Sequence, residues 1–181
     1  IDRCASNGVT EITEVKIGYD GIALGQSKEG IDLSLTKAQI FLALGKMVPV
    51  NGILVPNPYM MWNQIDASLP ATKIEVMGPP PTSGTRDAFV ELVMREGAEH
   101  FPEIKALKGD KNAFRSISDA MREDGVFVET GENDNLIVQK LQANPNSVGI
   151  FGFSFLDQNI DKIQGSLING AEPTFDNIAD G

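Results

Sequence analysis

Apolar positions along this chain change their spacing several times, and each change marks an element. Ile74, Glu75 and Val76 alternate as a strand does, whereas Phe89, Leu92 and Val93, with Glu96 completing the series, keep the i, i+3, i+4, i+7 spacing of an amphipathic helix. That helix is predicted to end at Glu99-His100-Phe101-Pro102, because the residue before a proline resists the α conformation. Upstream, Val15, Ile17, Tyr19, Ile22 and Leu24 lie among glycines and read as extended chain. Thr36 and Gln39 form a capping box for a helix whose apolar face carries Ala38, Phe41 and Leu42 and which Gly45 should stop. Residues 47–58, rich in Pro, Asn and Gly, are predicted to be a loop. A short helical piece over 59–65 follows, with Trp62 as a packing residue.

The second half continues the alternation. Asp110 can cap a helix with Phe114, Ile117 and Met121 on its apolar face and Gly125 at its close, and residues 126–128 form a short buried strand. Asn133 is a natural cap for the helix of Leu136, Ile137, Lys140 and Leu141, which Pro145 stops. Residues 148–156 read as a central strand, with Gly149, Phe151, Phe153 and Phe155 on one face and Val148, Ile150, Gly152, Ser154 and Leu156 on the other. Extended chain over 162–169 and a short helix over 174–179 end the sequence. The order predicts an α/β fold, a mainly parallel sheet flanked by helices, with ligand at the carboxyl ends of the strands.

The junction between the strand at 74–76 and its helix carries the candidate chemistry. Gly78-Pro79-Pro80-Pro81-Thr82-Ser83-Gly84-Thr85-Arg86-Asp87 feeds a strand into a helix N-terminus, whose leading N–H groups have no intrahelical partner and carry the positive end of the helix dipole. Gly84 lets a backbone approach closely, Ser83 and Thr85 add hydroxyls, and Arg86 can add a charged fork to a tetrahedral anion. Ser and Thr are also ordinary helix caps and proline is ordinary punctuation before a helix, so local chemistry leaves an anion site and a plain cap both open.

Composition narrows the classes. Fifteen Lys and Arg against 25 Asp and Glu give a formal charge of −10, which argues against nucleic-acid and anionic-membrane binding. An acidic protein can still hold an anion, because exposed charges beyond about 8 Å are screened at physiological salt and local donors decide. With 41% hydrophobic residues in 181, the chain can bury a core, and no stretch reaches the roughly 20 apolar residues of a membrane span. One cysteine, Cys4, excludes an internal disulfide and a cysteine-based metal site. His100 is the only histidine and reads as a helix-end residue; no metal, cofactor or nucleophile constellation stands out.

Five motifs occur in an order that resembles one family. Val55-Pro56-Asn57-Pro58 with Trp62, Ser68-Leu69-Pro70, Ser83-Gly84-Thr85-Arg86-Asp87-Ala88-Phe89, Gly131-Glu132-Asn133-Asp134-Asn135 and Ser147-Val148-Gly149-Ile150-Phe151-Gly152 are similar to the phosphate-binding proteins of bacterial phosphate ABC importers, within the type 2 periplasmic binding protein superfamily. Ile17-Gly18-Tyr19-Asp20-Gly21-Ile22-Ala23 resembles the segment in which such proteins pass from their first lobe towards their second. The resemblance implies capture of inorganic phosphate between two lobes, without chemistry and without a cofactor, and delivery to a membrane permease from a periplasmic location. It implies one lobe here, with residues 1–28 as inter-lobe crossover and incoming strands and residues 29–181 as the ligand-binding lobe. The family's opening and closing parts are missing from the pattern, and Ile1 is no initiator methionine, so a processed or middle section carrying about half the site is expected. Ser83, Gly84, Thr85 and Arg86 are then the expected ligand residues, with Asp87 and Asn133 near the site.

Two departures accompany the resemblance. Many relatives carry an arginine just before Ser-Gly-Thr, where this chain has Pro79, Pro80 and Pro81, which leaves Arg86 as the local cation. The family also implies an upstream partner for Cys4. Competing readings are a receptor for molybdate, tungstate or sulfate, a phosphatase-like hydrolase, for which no nucleophile or metal ligands are recognisable, and a structural or interaction domain in which residues 83–86 only cap a helix.

Overall fold

The computed structural model describes residues 4, 6–9, 11–13, 15, 17–131 and 134–180. The described part of the first 20 residues is exposed, with Ile17 at 97% of its free accessibility. Chain then enters the protein as β1 (Ile22–Ser27), passes β2 (Ser34–Leu35) and forms α1 (Lys37–Leu44). Here the sequence is obeyed closely: the Thr36 hydroxyl accepts from Gln39 N–H, the Gln39 side chain accepts from Thr36 N–H, and Gly45 is the C-cap.

Residues 47–58 differ from expectation. They contain a hairpin, β3 (Met47–Val50) paired antiparallel with β4 (Ile53–Pro56), turned by Asn51 and Gly52 at φ 51° and 81°. An Asn-Gly pair with both φ positive is the two-residue turn whose twist matches a hairpin. The prolines that argued for a loop sit in a two-stranded ribbon that belongs to no larger sheet, where a missing N–H is tolerated. After α2 (Trp62–Ile65), in which Trp62 is buried as a packing residue, comes β5 (Val76–Gly78).

A long helical rod follows, made of α3 (Gly84–Phe89), a π-helical turn Val90–Met94 and α4 (Arg95–Ala98). It packs on α1 so closely that a Cβ on Gly97 would lie 2.2 Å from the Lys37 carbonyl oxygen. The chain continues through α5 (Pro102–Lys105), a 3-10 turn Ala106–Gly109 and α6 (Lys111–Ser118), capped by the Asp110 carboxylate as expected. Gly125 does not close that helix. It ends at Ser118, Met121 instead bridges to Gly45, and Gly125 turns at φ 90° just ahead of β6 (Phe127–Glu129). Arg122 explains the early stop: it is 3% exposed and donates to the carbonyls of Ala43 and Tyr59 and to Asp124, which demands a non-helical path.

The last elements are α7 (Asp134–Ala143), β7 (Val148–Gly152), α8 (Phe153–Gln158), β8 (Ile163–Gly165), β9 (Leu167–Ile168) and α9 (Phe175–Asp180). The strand expected over 148–156 therefore stops at Gly152. Its ladder with β1 reaches the Ile22–Gly152 pair, and one further bond, from Phe153 N–H to Gly21 O at 2.7 Å, closes it where the helix begins. The chain turns into helix instead, and Phe155 meets Phe151 edge to face.

The main sheet has the order β6-β5-β7-β1-β8. β5 is parallel to β6 and β7, while β1 runs antiparallel to β7 and β8, so β1 alone opposes the common direction. One core lies between the sheet and α1 with the helical rod, through Leu24, Val76, Ile150, Phe41, Phe89 and Met94. A second lies on the other face, where Ala23, Met77 and Phe151 meet Ile137, Leu141 and Leu156. This α/β sandwich places the carboxyl ends of β5, β6 and β7 along one edge. Gly97→Ala is expected to destabilise the fold by about 1–3 kcal/mol, because the added methyl meets backbone and not a yielding side chain; urea unfolding would measure it.

Candidate anion-binding site

The turn after β5 leaves that carboxyl edge and starts the rod. Prolines at 79–81 have no N–H to give, so the turn is fixed through its carbonyls. Pro80 O accepts from Ser83 N–H at 3.0 Å, and Pro79 O accepts from Arg86 Nη1 at 3.1 Å. Just before the turn, Gly78 O receives both the N–H and the hydroxyl of Thr130, at 3.0 and 3.2 Å.

Ser83 occupies the N-cap position with extended backbone, φ −84° and ψ 135°. Asp87 N–H bonds to Ser83 O at 3.2 Å, so the N–H groups of Gly84, Thr85 and Arg86 precede the helical ladder. The Ser83 side chain makes no capping hydrogen bond. Thr36 and Asp110, at the corresponding positions of α1 and α6, both cap with their side chains, so a hydroxyl left out of capping sets this helix apart from those two. Gly84 is exposed and lacks a positive φ, and nothing lies within 4 Å of where its Cβ would be. Neither backbone conformation nor internal packing requires glycine there, and its surface is open to close approach.

Arg86 is half-buried and lies behind the turn. Its guanidinium carbon is 4.6 Å from the centroid of the buried Phe127 ring, a stacking distance. Burial pulls its pKa below the ordinary guanidinium value, opposed by the nearby carboxylates of Glu129 and Asp87, and it stays charged. Asp87 is exposed on the first turn, where a carboxylate is favoured by the helix dipole. Asn133 lies outside the described residues, and so does any view of it as a neighbour of the site.

Phe127 and Thr130 are the residues that sequence reading did not connect with this turn, and the Pro79 carbonyl is an acceptor it did not assign. Phe127 was legible only as strand core, and no local signal ties it to a turn 48 positions earlier. A cleft of about 1230 Å³ flanks the rod and the edge of β6 and includes Arg86, Asp87, Arg115 and Glu129. Five basic and five acidic side chains line it, so it offers no net positive field. Ser83, Gly84 and Thr85 are absent from its wall.

The rod that carries the turn is clamped from below. Arg95 donates from Nε and Nη2 to the two carboxylate oxygens of Asp119, both at 2.8 Å. Burial alone would raise the Asp119 pKa, but Arg95, the Ser118 hydroxyl and the charge of Arg115 together hold it below the usual 3.8. A lowered folded pKa means that the pair stabilises the protein above that pH and fades as pH falls through the lowered value. Asp119→Asn is therefore expected to lower the unfolding midpoint at neutral pH, with the effect shrinking progressively as pH falls below 3.8. A midpoint series across that range checks it.

An α/β lobe with a glycine-containing helix start at the carboxyl edge of its sheet has the layout in which open α/β domains hold ligands. The chain belongs to the family described as PBP superfamily domain, whose model matches residues 1–181. It is 28% identical over 176 residues to the phosphate-binding protein PstS of Staphylococcus saprophyticus, covering 93% of this chain and 43% of that protein. Its fold matches a possible phosphate binding protein from Planctomyces limnophilus with a TM-score of 0.66 at 17% identity, over 99% of this chain and 54% of that one. An ABC-type phosphate transport receptor from Vibrio cholerae matches with a TM-score of 0.59 at 19% identity, over 98% and 65%. The chain thus spans less than half the length of the curated relative it matches. No helix among the described residues is long and apolar enough to cross a membrane.

Proposed function

We propose that this chain is the phosphate-holding lobe of a solute receptor for an ABC importer, acting outside the cytoplasmic membrane. Ser83, Gly84 and Thr85 donate backbone and hydroxyl hydrogen bonds to inorganic phosphate, with Arg86 as the nearby cation and Asp87 at the rim. Residues 1–28 carry the crossover and the incoming strand β1, which joins the sheet of the lobe formed by residues 29–181. The reading is binding without chemistry, and release to a membrane permease belongs to the longer protein that this family implies.

One observation carries the proposal: the helix start at Ser83 withholds its hydroxyl from capping and keeps open space over Gly84. A plain cap requires the opposite on the first count and has no use for the second. The kinship with phosphate-binding relatives supports phosphate as the anion. Asp87 bears on selectivity, because a carboxylate at the rim can accept a hydrogen bond from the O–H of hydrogenphosphate and repel fully ionised sulfate.

Thermal unfolding in phosphate, against sulfate and chloride at matched ionic strength, tests the reading. At about tenfold excess over Kd, phosphate is expected to add about 1.4 kcal/mol of stability. For a domain of this size that is a rise of roughly 3–6 °C. Ser83→Ala with Thr85→Val should remove most of that rise, and Asp87→Asn should narrow the gap between phosphate and sulfate. No anion response in the wild-type chain would return the turn to a helix cap, and a larger response to molybdate, tungstate or sulfate would reassign the ligand.

A further inference from the structure

We infer that Arg86 acts on the anion site as a positioning residue, through the proline turn and the Phe127 ring, and not by touching the anion. The inference rests on the anion-turn reading but concerns a different interaction. Residues 79–81 are all proline, so this stretch has no N–H with which to tie itself to the sheet or to the rod. A donor must come from elsewhere, and Arg86 Nη1 supplies one to Pro79 O at 3.1 Å.

The guanidinium is itself held in place. It lies 4.6 Å over the Phe127 ring, and that ring is wedged against β5, where a Cβ on Gly78 would be 2.9 Å from Phe127 Cε2. Gly78 is tied in turn by its carbonyl to the backbone and hydroxyl of Thr130. A continuous set of contacts therefore runs from Thr130 through Gly78, Phe127 and Arg86 to Pro79, joining β5, β6 and the first turn of the rod. The planar stacked face and a directed N–H are both used, which a lysine ammonium cannot reproduce.

Glu129 and Asp87 both support the charge on Arg86, so its cation is partly answered within the protein. What reaches the anion site is geometry: the carbonyl of Pro79 fixes where residues 80–83 turn, and hence where the N–H groups of Gly84 and Thr85 point. Preorganised donors bind more tightly because less ordering is left to the binding step.

The test compares Arg86→Gln, Arg86→Lys and Phe127→Met in this chain, with two readouts. The first is amide hydrogen exchange at Ser83 and Asp87 without anion, which reports the Ser83 N–H to Pro80 O and Asp87 N–H to Ser83 O bonds. The second is the rise in unfolding midpoint caused by phosphate, taken relative to each variant's own anion-free midpoint so that a general loss of stability cancels. Positioning predicts faster exchange at both amides in all three variants, and a loss of phosphate affinity on the order of tenfold for stacking and bond together. It also predicts that Arg86→Gln with Phe127→Met is no worse than the single changes. If Arg86 touches the anion, Arg86→Lys keeps most of the phosphate response and Phe127→Met leaves it intact, which overturns the inference. Should Phe127→Met fail to fold, the exchange rates and the failed lysine rescue at Arg86 still decide. A wild-type chain that ignores phosphate while Arg86→Gln loosens both amides would remove the phosphate reading and keep the strut. A phosphate response with unchanged exchange in the Arg86 variants would keep phosphate and remove the strut.

Discussion

Strand β5 is only three residues long, yet it is hydrogen-bonded in parallel to β6 on one side and to β7 on the other. Both ladders must run in register for Gly78 to end level with Glu129, and this shared end sets where the chain leaves the sheet. A parallel neighbour requires a crossover that returns along the opposite direction, so the chain after β5 has to turn over the carboxyl edge and run back as a helix. The residue that begins that helix is thereby held at the edge with its N–H groups facing outwards. A helix start at this edge stands where ligands bind in open α/β sheets, and strand direction puts it there before any side chain is considered.

Side chains then make the edge specific. The rod is drawn against α1 at Gly97 and clamped to the end of α6 by Arg95 and Asp119, so its first turn cannot tilt freely. The turn between strand and rod is stiff for another reason, since consecutive prolines lose little conformational freedom on folding. The Arg86 contacts with Pro79 O and Phe127 tie that turn to β6. An exposed glycine beneath an open surface completes the arrangement. The net negative charge of the chain does not oppose it, because exposed carboxylates farther than about a Debye length, roughly 8 Å, are screened.

Where local signals were self-contained, the sequence was legible. The capping box of Thr36 and Gln39, the cap at Asp110, the end of α1 at Gly45 and the helix start at Ser83 are all interactions among residues a few positions apart. The hairpin at 47–56 was legible too, in Asn51-Gly52, but the prolines around it pointed the other way. Long-range demands were not legible. β7 ends at Gly152 where its pairing with the distant β1 closes on the bond from Phe153 N–H to Gly21 O, and α6 stops at Ser118 because Arg122 is required at the carbonyls of Ala43 and Tyr59. In the site, Ser83, Gly84, Thr85 and Arg86 stand where the motif put them, whereas the place of the Arg86 side chain depended on Phe127, far away in sequence.

The sequence by itself determined the α/β alternation, the helix start at Ser83 and the donors available there, since periodicity, capping and the orphan N–H groups of a first turn are properties of neighbouring residues. Only the tertiary structure decided that the Ser83 hydroxyl would be left out of capping, that open space would lie over Gly84, and that Arg86 would bind Pro79 O and the Phe127 ring instead of standing free. Those outcomes depend on which strands end level and which helices approach closely. Such contacts join residues tens of positions apart, and no local pattern encodes them.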